Sequence, residues 1–162
     1  MEARRFSEFS PTVKWAITAY LLLASLGFGV AALMSHHHYG FNHAQTVTYY
    51  LGSEEEMAMP KLYAQLLQAA HVHSFTMPMV FLPLWLGLHF LNVATGLKKL
   101  FILGGAASIL TYNAAPFLLR YESSHAVYLF TVGGVGLFLF FLLPAGLILK
   151  ETWLGRADKS AT

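Results

Sequence analysis

"AVYLFTVGGVGLFLFFLLPAGLIL", residues 126–149, contains no charged residue. A run of this length reaches across the hydrocarbon core of a bilayer, about 30 Å thick, which needs around 20 helical residues. In lipid every backbone N–H and C=O must find its partner inside the segment, so the run is predicted as a helix. Three more runs share its character: about 13–34 (VKWAITAYLLLASLGFGVAALM), 74–95 (SFTMPMVFLPLWLGLHFLNVAT) and 100–119 (LFILGGAASILTYNAAPFLL). Lys14 is the one full charge among them, at an end where it can snorkel to the interface.

Composition agrees. Of 162 residues, 56% are hydrophobic and 11% charged, where a soluble domain carries about 25% charged residues. The length suits one domain, 1–162, and a net charge of +2 gives no case for nucleic acid. Cysteine is absent, which removes disulfides, thiolate zinc sites, iron–sulfur clusters and covalent c-type haem. A cofactor would have to be held by His, Met, Tyr or carboxylates.

The predicted fold is all-α: a four-helix transmembrane bundle with a small helical cap on its outer, periplasmic side. Basic residues set the orientation. Arg4, Arg5, Lys14, Lys98, Lys99, Lys150, Arg156 and Lys159 fall on one side, against Lys61 and Arg120 on the other. Both termini and the 96–99 turn are therefore expected in the cytoplasm of a bacterial inner-membrane protein, with 35–73 and 120–125 outside. The first span is too long for a signal peptide and lacks a clear small-residue cleavage site, so it reads as an uncleaved anchor.

The outer segment has its own signals. Asn42 with Gln45 fits a helix start, and Gly52 closes a short helix over about 43–51. Ser53 with Glu56 repeats the capping pattern, and Pro60 suits a first helical turn. The second spanning helix is predicted to begin near Pro60 and to kink at Pro78 and Pro83. Gly104, Ser108, Gly133, Gly134 and Gly136 mark close helix contacts, and the 151–162 tail is expected to fray.

Histidine carries the chemistry. His36, His37, His38, His43, His71, His73 and His125 all fall on the outer side. Imidazole is the commonest metal ligand and a usual axial ligand of haem b. His71 and His73 point about 200° apart on a helix, so they cannot chelate one ion together. Either can face His36, His37, His38 or His125, which leaves one haem open at this edge. Solvated interfacial residues explain the His36-His37-His38 run equally well. A metal ion held by His36, His37, His38, His71 and His73 is the other option. Met57, Met59, Met77 and Met79 nearby are more often packing residues than ligands. Tyr112 and Asn113 form the polar insert of the third span, suited to a quinone headgroup, an imidazole or interhelical bonding. His89 lies deepest, about 27 Å along the helix from His71 and five whole turns away. It has no histidine at its level and is expected to be a neutral group bonded to Tyr20 or Ser108.

The stretch "TVTYYLGSEEEMAMPKLYAQLLQAAHVHSFTMPMVF", followed by "GLHF", resembles small four-helix bacterial inner-membrane proteins of unsettled function. The resemblance covers roughly residues 36–90, with the His-x-His entry into the second span as its most distinctive part. It implies a companion of respiratory redox systems. The histidines also look like half of the ligand set of four-helix membrane b-type cytochromes, and the missing half departs from that pattern.

The expected function is a membrane redox or electron-transfer-associated subunit. Haem b or a transition metal ion would sit at His71 and His73, with His38 or His125 opposite, and a quinone near Tyr112 and Asn113. Its partners would be the lipid bilayer and other membrane or periplasmic redox proteins. The alternatives are a non-catalytic anchor or assembly subunit for a periplasmic partner, and a metal-handling membrane protein.

Overall fold

The computed structural model describes residues 6–39 and 42–155. Five α-helices account for most of them: α1 (Pro11–Tyr39), α2 (His43–Leu51), α3 (Tyr63–Gly87), α4 (Thr95–Tyr121) and α5 (Val127–Leu154). Short 3-10 turns occupy Phe6–Glu8, Leu88–Phe90 and Ser124–Ala126. Among the described residues, three helical segments are long and apolar enough to cross a membrane: Pro11–His38, Thr95–Tyr121 and Ser124–Leu154. The fourth long helix, α3, carries His71, His73, Ser74, Pro78 and Pro83, which dilute its apolar character.

α4 and α5 form the most extensive pairing, and α3 packs mainly on α4. Small residues bring the first pair together. A Cβ on Gly133 would lie 2.8 Å from the Tyr112 backbone nitrogen, one on Gly136 would strike Ser108, and one on Gly104 would strike the Phe140 ring. In lipid, close fit of this kind replaces the hydrophobic effect as the force between helices. The core lies toward the end that holds Phe6, where Phe81, Leu84 and Leu88 meet Phe101, Leu137, Phe141 and Ile148.

α1 is held more loosely. The Phe28 ring packs on Phe81 and Phe141, with centroids 6.1 and 4.6 Å away. The Tyr20 hydroxyl donates to the Val80 carbonyl. Two residues earlier on α1, the Trp153 indole N–H donates to Thr18 at 2.9 Å.

Several boundaries differ from those expected. α1 runs on to Tyr39, so His36, His37 and His38 sit in its last turn, not beyond it. α3 stops at Gly87, well short of residue 95; the chain tightens to a 3-10 turn and leaves helical geometry at Leu91 (ψ 140°). α4 then begins at Thr95, so Lys98 and Lys99 lie in its first turns and not in a loop. The Lys98 ammonium reaches back to the His89 carbonyl, 3.3 Å away, where α3's end leaves an acceptor free. The tail stays helical to Leu154 because Trp153 is anchored on α1. Arg4, Arg5, Arg156 and Lys159, on which the orientation partly rests, lie outside the described residues.

The outer segment is part helix, part turn. Asn42 caps α2 by accepting from Ala44 N at 2.9 Å, and Gly52 ends it at φ 82°. Ser53 does not start a helix. It pairs across a tight turn with Ala58, which leaves Met57 at φ 49°. α3 starts at Tyr63, where the Gln65 side chain accepts from Leu62 N at 3.0 Å. Arg120 Nε donates to the Lys61 carbonyl at 3.2 Å, fastening the segment onto α4.

Candidate functional site

Most outer histidines are spread over the surface. His36, His37 and His38 are exposed, and three consecutive residues on a helix point in three directions about 100° apart. The His38 ring lies 6.0 Å from Tyr49, and His125 is exposed in its 3-10 turn. His43 opens α2, where the sequence placed the start of a short helix, and joins it to α5. Its Nε2 lies 2.8 Å from the Thr131 hydroxyl, and its ring packs on Tyr128 with centroids 4.6 Å apart. His71 is exposed on the outside of α3 beside Phe75. Among the described residues, no three His, Asp or Glu side chains are grouped to hold a metal ion.

His73 differs from His71 as their angular separation requires. It turns inward, half-buried, with its ring centroid 6.3 Å from that of Tyr112 on α4. One turn further along α3, Met77 occupies the same face. Its thioether accepts from Asn113 Nδ2 at 3.7 Å, and the same amide nitrogen donates to the Ile109 carbonyl at 2.9 Å. Tyr112 is held firmly from behind: Gly133 of α5 lies against its backbone, and the Phe130 ring sits 5.7 Å away. Three of the six candidate cofactor residues, His73, Tyr112 and Asn113, thus meet at the α3–α4 seam, while His71, His38 and His125 stand elsewhere. Sequence reasoning set Met77 aside as packing; its spacing of four from His73 was the available signal.

The seam leaves one buried polar atom unmatched. Asn113 Oδ1 is buried with no hydrogen-bond partner among the described residues. His73 and Tyr112 beside it are half-buried. An unpaired polar group in an apolar setting is costly, so such groups signal a missing partner.

His89 does not meet its expected partners. Tyr20 bonds to Val80, and the Ser108 hydroxyl donates to the Gly104 carbonyl at 2.7 Å. The His89 side chain is exposed beside Phe90 in a 3-10 turn. The helical phase linking it to His71 is lost because α3 ends at Gly87.

A family described as a transmembrane helical domain, Aq_1264_TM, matches residues 40–159, and the chain belongs to it. The match begins after α1. Comparison with curated proteins and with solved structures finds no match.

Proposed function

We propose that this member of the transmembrane helical domain family is a redox-associated membrane subunit that takes a quinone headgroup at His73, Tyr112 and Asn113. The convergence of these three polar groups on one helix seam, with Asn113 Oδ1 buried and unpaired among the described residues, carries the reading. A quinone lives in the bilayer, and its ring offers oxygens at opposite ends to groups lying within the apolar zone. In this arrangement α3 crosses the membrane as a fourth span, both termini lie in the cytoplasm, and α2 with the 52–62 turn caps the periplasmic side. The basic residues support that orientation: Lys14, Lys98, Lys99 and Lys150 lie at one end of the helices and Arg120 at the other. Haem b or a transition metal remains an occupant of the same site, with His73 as its ligand.

Purified protein, extracted with its lipids, tests this. Bound quinone and a featureless visible spectrum are expected, with His73→Ala losing the quinone and His71→Ala keeping it. A reduced b-type spectrum that His73→Ala abolishes would replace quinone by haem. Protein carrying neither, and taking up neither, would end the redox reading.

One observation favours the alternative of an anchor for a periplasmic partner. Met57 and Met59 are 91% and 86% exposed beside Glu54, Glu55 and Glu56, an adaptable apolar tip ringed by acid. A partner that co-purifies with the wild type and is lost on Met57→Lys/Met59→Lys would support it.

A further inference from the structure

The polarity of the unpaired atoms decides which redox form of the ligand fits, an inference that rests on the quinone reading. Asn113 has one amide nitrogen and one amide oxygen, and their positions are distinguishable by chemistry. The atom 2.9 Å from the Ile109 carbonyl must be the nitrogen, because an oxygen there would set acceptor against acceptor. Its second N–H faces the Met77 thioether. Both donors of the amide are therefore engaged, and what remains is Oδ1, an acceptor with no partner.

The other two groups are indifferent. A neutral imidazole presents one donor and one acceptor, and a tyrosine hydroxyl can do either. His73 and Tyr112 serve a quinone carbonyl or a quinol hydroxyl equally. Asn113 alone has a fixed polarity.

We infer that the seam is selective for the reduced, quinol form. A quinone oxygen only accepts, so placing it beside Asn113 Oδ1 repels and leaves both atoms unpaired. A quinol O–H donates to Oδ1 and meets the unmatched acceptor. Met77 keeps the second N–H of the amide engaged as Ile109 keeps the first, so Oδ1 is the atom left to face a ligand. A site that must hydrogen-bond a hydroxyl rejects an analogue unable to donate, since the buried acceptor is then left stranded.

The probes are decyl-ubiquinone and its dithionite-reduced quinol, titrated anaerobically against the detergent-solubilised wild-type protein by quenching of intrinsic tryptophan fluorescence. The quinol is expected to bind about tenfold more tightly, the scale of one buried hydrogen bond. Asn113→Leu, similar in size and without the acceptor, is expected to bring the two affinities together by weakening quinol alone. Tyr112→Phe should weaken both forms alike. Equal binding of the two forms to wild type overturns the selectivity and leaves the quinone site standing. Binding of neither form overturns the quinone site itself. The wild-type comparison needs no variant, so a poorly folded Asn113→Leu leaves the test intact.

Discussion

α1 and α5 are equally convincing as membrane spans, yet they are used in opposite ways. Of the most apolar 18-residue stretch of α1, 6% is buried, against 33% of the corresponding stretch of α5. Glycine makes the contrast concrete. Gly133 and Gly136 of α5 lie against Tyr112 and Ser108, whereas a Cβ on Gly27 or Gly29 of α1 would have nothing within 4 Å among the described residues. Leu22, Leu23, Leu26 and Leu33 of α1 are all more than half exposed. Lipid is as apolar as leucine, so apolarity places a helix in the membrane without choosing its neighbours. Shape chooses them. The family match, which begins at residue 40, falls on the closely packed side of this divide.

The contrast can be broken by substitution. Phe141 is fully buried where α1, α3 and α5 meet, and Phe141→Ala is expected to cost about 3–5 kcal/mol, the range for emptying an aromatic site. Reversible unfolding in mixed micelles would measure it; a loss below 1 kcal/mol would mean that this core is not tightly packed.

Gly133→Ala comes next. The added methyl meets Tyr112 backbone, which cannot step aside as a flexible side chain would, so about 1–3 kcal/mol is expected. The same substitution should disturb quinone binding, because Gly133 sets the position of Tyr112. A stable variant with weakened binding would sharpen the link between the α4–α5 contact and the site.

Tyr20→Phe removes the hydroxyl that serves the Val80 carbonyl and should cost about 1 kcal/mol, typical of an interhelical bond in a bilayer. A negligible effect would show α1 to be held on α3 and α5 by packing of residues such as Leu21 and Phe28 rather than by this bond.

Smallest of all is Gly27→Ala, with open space around the added methyl and an expected change within about 0.5 kcal/mol. A loss as large as that of Gly133→Ala would erase the distinction between the two helices and place an unseen neighbour against α1.

The sequence carried the helical class, the long apolar segments, the Asn42 cap and the divergence of His71 from His73. These follow from local rules: backbone satisfaction in lipid, capping chemistry and the 100° step of a helix. Proximity between segments was not legible in this way. That His73 and Met77 face Tyr112 and Asn113 depends on how α3 rotates against α4, and no periodicity reports rotation when every face of a helix is apolar.

The end of α3 was also invisible, since "GLHFLNVAT" keeps its apolar character past Gly87 while the backbone leaves the helix. Lys98 capping the His89 carbonyl is a tertiary contact, and with it went the expected partners of His89. Composition and hydropathy by themselves determined that this chain is helical and belongs in a membrane, because lipid imposes those constraints on every residue separately. Only the tertiary structure decided which glycines are contacts, which histidine faces inward and which acceptor is left unpaired. Those outcomes depend on shape complementarity between helices, a property of pairs of surfaces that no single stretch of sequence contains.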